Sequence, residues 1–172
     1  MRCQRWLPLL LAALLLAACG GKEPEETEGG YVLWFCTPSE QNHGPALISR
    51  PCGLENPGPE ELLAALLAGP APEEGLSPFP RGVTVRQCAE DEERPGVLLV
   101  DLSEQYGALA DISLTLADYS IVLTLSQLEG VEGVEITAGG HRVSYRSHQL
   151  LDSREAVLWD ELAADGGSSF PG

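Results

Sequence analysis

The stretch "VLLVDLS", residues 97–103, decides the fold that this sequence predicts. Its first four residues are all apolar, and the two polar residues Asp101 and Ser103 follow. A continuous apolar run of this length is typical of a strand that is buried on both faces. We therefore predict a central strand here, with a turn at its end that the side chains of Asp101 and Ser103 stabilise by accepting backbone N–H groups.

A helix that precedes this strand is predicted by "GPEELLAALLAGP", residues 58–70. Pro59 suits the first turn of a helix, where its missing N–H costs nothing, and Gly69 with Pro70 ends the helix. Four leucines form one apolar face that can pack on the sheet: Leu62, Leu63, Leu66 and Leu67.

A second helix is predicted after the central strand, over residues 116–128. Thr115 would cap it, and Asp118 stands three residues later in the position of a capping box. Its apolar face consists of residues at helical spacing: Ala117, Ile121, Leu125 and Leu128. Gly130 is the expected stop.

The remaining segments add strands to the same sheet. Residues 31–36, 83–88 and 131–145 are rich in β-branched and aromatic residues, and Gly139-Gly140 can form the turn of a hairpin. Residues 37–56 read as loop, and a short helix capped by Ser153, with contacts from Val157 and from Leu158 or Trp159, is predicted near the end. The fold class is α+β: one small domain in the order β-α-β-β-α-β, with two helices packed on a sheet of four to five strands, an added hairpin strand and a tail helix.

The start of the chain indicates where the protein works. Arg2 and Arg5 precede an uncharged apolar run over residues 7–18, which is too short to span a bilayer comfortably and has the length of a signal-peptide core. The run ends in "LAAC", residues 16–19, and this resembles the bacterial lipobox. In signals of that class Cys19 becomes the first residue and carries diacylglyceryl on its sulfur. The alternative is an ordinary secretory signal with an incidental cysteine.

These features divide the chain into four parts. Residues 1–18 are predicted to be the lipoprotein signal peptide, and residues 19–30 ("CGGKEPEETEGG") a flexible acidic tether with too little apolar surface to fold. Residues 31–145 form the folded domain, and residues 146–172 a tail with a short helix. The expected location is the outer face of the cell membrane, where the acyl chains of Cys19 hold the protein.

Charge and cysteine content restrict the possible partners. The formal net charge is −16, and it becomes −18 when Arg2 and Arg5 leave with the signal. So acidic a surface repels phosphate backbones, which argues against nucleic-acid binding. After the signal and Cys19, three cysteines remain, and they permit one disulfide with one free thiol, or three free thiols: Cys36, Cys52 and Cys88. His43 lies near the first two, but no CxxC or HxxxH spacing predicts a metal site, and no cofactor is expected.

Three stretches together resemble the GerMN domain of spore-germination and sporulation lipoproteins and of other lipid-anchored envelope proteins of Gram-positive bacteria. They are "ELLAALLAGPAPEEGLSPFPRGVTV" (61–85), "GVLLVDLSEQY" (96–106) and "IVLTLSQLEGVEGVEITAGG" (121–140). The family pattern includes a leucine-rich helix ending in Gly-Pro, a strand ending in Asp-Leu-Ser and a helix followed by a Gly-Val-x-x-Val step. The resemblance covers residues 31–145.

The resemblance implies a fold similar to the ring-building motif of envelope-spanning secretion machines and related sporulation complexes. Some sporulation members carry two such domains, and this chain has room for one. The expected function is a non-catalytic, lipid-anchored interaction module in envelope or spore assembly or germination, which binds an envelope protein or assembles with itself. The alternative is an extracytoplasmic receptor for a small ligand or a wall glycan, using residues 76–82 or 37–56.

A few residues could suggest an enzyme instead. Ser103 stands between Asp101 and Glu104, but no G-x-S-x-G elbow surrounds it and no histidine is spaced to reach it. Turn and capping bonds are the predicted use of these side chains, and the protein is predicted not to be an enzyme. The histidines at 141 and 148 are expected to be solvated, and the tryptophans at 34 and 159 to pack in the core or the tail.

Overall fold

The computed structural model describes residues 30–38, 46–146 and 148–156. Within them lie seven strands and two α-helices: β1 (Val32–Cys36), β2 (Leu47–Pro51), α1 (Pro59–Ala68), β3 (Val85–Glu90), β4 (Val97–Leu102), α2 (Asp111–Leu125), β5 (Gly133–Ala138), β6 (His141–Arg142) and β7 (Leu150–Leu151). Short 3₁₀ turns follow β4 at Glu104–Ala108 and β7 at Ser153–Glu155. Neither α-helix of this described part has the length and apolar character needed to cross a membrane.

Five strands form one mixed sheet in the order β3-β4-β5-β6, and β7 also pairs with β5. β4 and β5 are parallel and are connected through α2, whereas β3 is antiparallel to β4. The predicted fold class, two helices on a sheet of four to five strands, is confirmed. The order differs at its start, because β1 pairs with β2 in a separate antiparallel hairpin and is not a strand of the main sheet.

The core lies between the two helices and one face of the main sheet. At most 1% of each of the following core residues is exposed: Leu62, Leu63 and Leu66 of α1; Leu98, Val100 and Leu102 of β4; and Ala117, Ile121 and Leu125 of α2. This confirms the predicted apolar faces, except that Leu67 and Leu128 are only half-buried. α1 also has the predicted ends, Pro59 at its start and Gly69 (φ +83°) just after it.

The loop predicted over residues 37–56 is wrong in part, because it contains β2. This strand pairs with β1 from Cys36↔Leu47 to Val32↔Pro51. Its five residues are too few for a clear alternation, and its proline is tolerated because it lies at the edge of the hairpin. Residues 47–51 therefore could not be recognised as a strand without knowledge of their pairing with β1.

The predicted start of α2 at residue 116 is also wrong. The helix begins at Asp111, and its N-cap is Ala110, which has no side-chain cap. The Thr115 hydroxyl donates to the Asp111 C=O (3.2 Å) inside the helix, so it is not a cap. Asp118 is buried on the core side of the helix, which removes the capping-box interpretation.

Polar side chains of α2, together with Gln127 two residues after its end, cover the outer edge of β1. The Val32 N–H donates to Gln127 Oε1 (2.9 Å), and Gln127 Nε2 donates to the Val32 C=O (2.7 Å). One turn earlier, the Trp34 N–H donates to Thr124 Oγ1 (3.2 Å), and the Ser120 hydroxyl donates to the Trp34 C=O. This polar stripe of α2, formed by Ser120, Thr124 and the following Gln127, therefore takes the place of a neighbouring strand. It satisfies backbone groups that would otherwise be costly to bury.

The C-terminal part of the described chain packs onto the same core. Leu151 of β7 is a core residue, although it lies beyond the predicted domain boundary at residue 145. Where a helix was predicted from Ser153, there is a 3₁₀ turn whose N-cap is Asp152, not Ser153. The rest of that predicted helix, including Trp159, and the predicted signal peptide, Cys19 and residues 20–29 of the tether lie outside the described residues.

Candidate functional site

Asp101 lies at the end of β4 and binds three neighbours. Its Oδ1 accepts the Thr137 hydroxyl (2.8 Å) and the Gly140 N–H (2.7 Å), and its Oδ2 accepts Arg86 Nε (2.8 Å). Burial alone would raise the pKa of this carboxyl, but these bonds outweigh burial and lower the pKa below its ordinary value. Asp101 therefore holds the β5–β6 turn and the start of β3 against β4.

Ser103 connects the same end of β4 to the chain that enters β3. Its hydroxyl oxygen accepts the Thr84 N–H (3.0 Å), and its own N–H donates to the Thr84 C=O (2.9 Å). Glu104 is exposed, and its methylene groups lie against Gly139, where a Cβ would approach Glu104 Cγ to 2.8 Å. The predicted backbone bonds of Asp101 and Ser103 are thus confirmed.

His141, His148 and Trp34 are further candidate residues of the sequence. His141 and His148 are exposed, as predicted, and His148 Nε2 lies 2.8 Å from Glu155 Oε2. Trp34 is half-buried in β1.

The outer face of the sheet, opposite the helices, carries a network of arginines and carboxylates. Arg94 Nε donates to Asp91 Oδ2 (2.5 Å) and its NH2 group donates to Glu135 Oε2 (2.7 Å), while Arg142 lies 3.8 Å from Glu135 Oε1. The carboxylates are mostly covered, whereas 74% of the Arg142 side chain is exposed. The Glu93 N–H and then Arg94 hold the pKa of Asp91 below its ordinary value.

This network borders a shallow depression of about 280 Å³ on the outer face. Its lining combines polar side chains with strand residues: Gln87, Leu99, Val100, Asp101, Glu135, Thr137 and Gly140. Both carboxylates in the lining already accept bonds from arginines, so the depression offers polar contacts but no carboxylate without a partner.

A buried ion pair lies on the other side of the sheet, between α2 and the segment after β6. Arg146 donates from Nε to Asp118 Oδ2 (2.7 Å) and from NH2 to Asp118 Oδ1 (2.5 Å), and the Tyr106 hydroxyl donates to the same Oδ1 (2.6 Å). The side chains of Arg146 and Asp118 are 4% and 5% exposed. Burial and then the Asp118 charge raise the pKa of Tyr106 well above its ordinary value.

Arg146 also closes a gap in the sheet. β7 pairs with β5 up to Val134 and Glu135, and β6 pairs with Thr137 and Ala138, so Ile136 lies between them. Arg146 NH1 donates to the Ile136 C=O (2.6 Å) in this gap. All three nitrogens of the guanidinium therefore donate inside the fold, and the pair has a structural role.

This pair was not predicted from the sequence, although one signal was available. Asp118 stands four residues after Leu114 and three before Ile121, on the apolar stripe of α2. A carboxylate on such a stripe needs a buried partner, but the spacing could not identify Arg146, which is 28 residues away.

The three predicted thiols are free in the described residues. Cys36 and Cys52 lie at opposite ends of the β1–β2 hairpin, since Cys36 pairs with Leu47 and the Cys52 N–H donates to the Tyr31 C=O. Burial raises the pKa of Cys36, and burial together with the Glu60 charge raises the pKa of Cys88 to about 11.

Of the two alternatives for the thiols, three free thiols is therefore the one that the structure shows. Within the described ranges no three acidic, histidine or cysteine side chains are placed to hold a metal ion. The lipidation of Cys19 is not tested, because Cys19 lies outside these ranges.

Comparisons with known proteins agree with this fold. A family model, "Germane: Sporulation and spore germination", matches residues 38–144, more than half of the chain. The comparison with curated proteins gives no significant match.

Three solved structures are similar. Tandem GerMN domains of the sporulation protein GerM from Bacillus subtilis superpose with a TM-score of 0.56 at 17% identity, over 73% of this chain and 46% of that one. The first GerMN domain of the same protein gives 0.51 at 17% identity, over 63% and 88%. A putative lipoprotein from Clostridium perfringens gives 0.45 at 15% identity, over 75% and 89%. The chain thus spans less than half the length of the tandem-domain structure.

Proposed function

Because the chain belongs to the GerMN (Germane) family of sporulation and spore-germination domains, we propose that it is a non-catalytic, lipid-anchored interaction module on the outer face of the cell membrane. Its task is the assembly of an envelope or spore structure, or germination. The observation that carries the proposal is the use of the polar groups at the end of β4. Asp101 and Ser103 are bound to the backbone of neighbouring strands, and such bonds fix a scaffold and do not activate a nucleophile.

The lipid anchor is supported by the order of charge, apolar run and "LAAC" at the start of the chain. Two or more acyl chains hold a protein stably on a membrane, whereas one does not. A strongly acidic domain needs such an anchor to stay near an anionic membrane surface.

The test of this function is a pull-down from membrane fractions of the source organism with the wild type and with Cys19→Ala. We expect an envelope protein, or a second copy of the chain, to be recovered only with the wild type, and Cys19→Ala to appear soluble or unprocessed. A variant that is processed normally and stays on the membrane after a carbonate wash would exclude the anchor.

The substitution Ser103→Ala distinguishes an interaction module from an enzyme. Ser103→Ala should lower the unfolding temperature, because the Thr84 N–H loses its acceptor, and it should affect complementation only through lost folded protein. Full stability with complete loss of function would restore a hydrolase.

The alternative function, a receptor for a small ligand or a wall glycan, is favoured by one observation, the depression on the outer sheet face with its polar lining. Chemical-shift changes at Gln87 and Thr137 on titration with soluble wall fragments would support it.

A further inference from the structure

The edges of the two sheets differ in how they are protected. β1 is covered by the polar stripe of α2, and β5 is covered by β6, β7 and Arg146. β2 is short and ends in Pro51, which has no N–H, and the Arg50 guanidinium donates to the Ser49 C=O (3.0 Å). Such features are the usual means by which proteins prevent unwanted pairing at strand edges.

Among the residues that the structure describes, none covers β3 in a comparable way. The Asp91 N–H donates to the Val97 C=O (2.8 Å), and the antiparallel register runs through Ala89↔Leu99. Because hydrogen-bonded residues alternate along an antiparallel strand, Cys88 and Glu90 direct their N–H and C=O groups away from β4. Within the described ranges no hydrogen bond reaches these four groups. The bulge between Val85 and Gln87 disturbs only the start of the strand.

Negative charge predominates around this open edge, because the cations beside it, Arg86 of β3 and Arg94 of the β3–β4 loop, are already bound to carboxylates of the outer sheet face. Glu90 is the last residue of the strand, and Glu92 and Glu93 lie two and three residues beyond it and are exposed. Glu60 and Glu61 are exposed at the first turn of α1, which packs on β3. The Glu60 carboxylate is near enough to the middle of the strand to raise the pKa of the Cys88 thiol.

This charge distribution decides between two kinds of strand that could pair with the edge. A second copy paired through its own β3 would bring two sets of these glutamates together, and like charges on facing strands are destabilising. A strand with lysine or arginine at alternate positions would face the same glutamates with opposite charge.

We propose that the outer edge of β3 binds an extended, basic segment of another protein by strand addition. Backbone bonds to Cys88 and Glu90 would align the segment, and its cations would face the glutamates of α1 and of the β3–β4 loop. The inference rests on the proposed function as an interaction module, and it specifies the surface and the class of partner.

The probe is a fluorescein-labelled octapeptide of alternating lysine and valine. Its binding to the purified full chain in nonionic detergent is followed by fluorescence anisotropy. We expect saturable binding that weakens as salt rises, because the Debye length shortens from about 10 Å at 0.1 M to about 3 Å at 1 M. The glutamate counterpart of the peptide should not bind.

Two variants separate charge from strand pairing. Glu60→Gln/Glu61→Gln should raise the Kd roughly three- to tenfold, the range for loss of exposed ion pairs. The amide oxygen introduced at position 61 can still accept the Gly58 N–H, which the Glu61 carboxylate accepts at 3.0 Å. Glu90→Pro removes an outward N–H without removing a bond to β4, and it should raise the Kd further. The matched control, Glu129→Gln/Glu132→Gln, removes two exposed charges from the α2–β5 connection and should leave the Kd unchanged.

A second form of the peptide covers the case in which Glu90→Pro fails to fold, as thermal unfolding would reveal. N-methylation of every second residue keeps the charge and removes the donors of one peptide edge. The proposal would be overturned if peptides methylated at the odd or at the even positions both bound as tightly as the unmethylated peptide. It would also be overturned if the control variant lost as much affinity as Glu60→Gln/Glu61→Gln. Either result would mean that charge alone causes the binding.

Absence of peptide binding would also overturn the proposal. If the protein instead forms a dimer that Glu90→Pro dissociates, the occupant of this edge is a second copy of the chain and not a basic partner. The proposed function as an interaction module can be tested separately from this edge. A Cys19-dependent partner that still binds Glu90→Pro would retain the module and exclude this edge.

Discussion

Removal of Arg146 is expected to have the largest effect of any single substitution in the polar part of the molecule. In Arg146→Ala the Asp118 carboxylate stays buried, with the Tyr106 hydroxyl as its remaining partner. The Ile136 C=O also loses its donor, in the gap between β6 and β7. Breaking a buried pair from one side costs roughly 3–5 kcal/mol. A domain of this size has a free energy of unfolding of about 5–15 kcal/mol, so a large part of it would be lost.

Three further variants test the physical reason. Arg146→Lys keeps the charge, but a single ammonium cannot bind both Asp118 oxygens and the Ile136 C=O, so most of the loss should remain. Asp118→Leu/Arg146→Met with Tyr106→Phe replaces all three polar side chains with apolar ones. Such replacements are often neutral or stabilising by about 1–4 kcal/mol. The triple variant should therefore be much more stable than Arg146→Ala.

The assay is urea unfolding of each variant, followed by circular dichroism and by tryptophan fluorescence, which should give coincident transitions. The slope of the free energy against urea must stay constant if the comparison is to report stability alone. A loss below about 1 kcal/mol in Arg146→Ala would refute the reasoning, since it would mean that water reaches Asp118 and replaces the guanidinium.

The other predictions concern the core, acid stability and thiol reactivity. Leu125→Ala should cost roughly 2–5 kcal/mol in urea unfolding, because Leu125 is fully buried; a change within about 0.5 kcal/mol would place this helix face at the surface. Because the pKa of Asp101 is lowered in the folded protein, its contribution to the free energy of unfolding is complete above the unfolded pKa of about 3.9. This contribution is lost as pH falls through the lower pKa of the folded state. Asp101→Asn should therefore reduce the steepness of acid unfolding in that range, and an unchanged acid transition would contradict this. Iodoacetamide at pH 8 should label native Cys88 slowly, since a pKa of about 11 leaves about 0.1% thiolate, against about a quarter for a free cysteine. Mass spectrometry of native and urea-unfolded protein measures the difference, and equal rates would show that the thiol is accessible and unperturbed.

The parts of the fold that were predictable from the sequence are those that local chemistry determines. Pro59 and Gly69 mark the ends of α1 because their backbone preferences act within a few residues. The β5–β6 turn has positive φ at both Gly139 and Gly140 (+61° and +79°), which a two-residue hairpin requires. The central position of β4 follows from its apolar run, although Leu99 on the outer face is only half-buried.

The features that were not predicted depend on partners far away in the chain. β2 is a strand only because β1 lies beside it, and Asp118 is buried only because Arg146 reaches it. Residue types and spacing indicate that a polar group will need a partner, but the fold determines which group supplies it. The same limit applies to the candidate surface, because the open edge of β3 could be recognised only after the other edges were found to be covered.

The sequence pattern of α2 is hard to interpret because one helix performs three structural tasks. Ile121 and Leu125 pack in the core, while Ser120 and Thr124 are equally buried and bind β1. Asp118, one turn before Ile121, binds Arg146 in the segment that covers β5. Polar residues therefore occur on buried sides of the helix, which weakens the hydrophobic periodicity that would normally define its start. The same arrangement joins the β1–β2 hairpin and the C-terminal strands to one helix. Loss of either contact should therefore disturb α2 and, through it, the core of the domain.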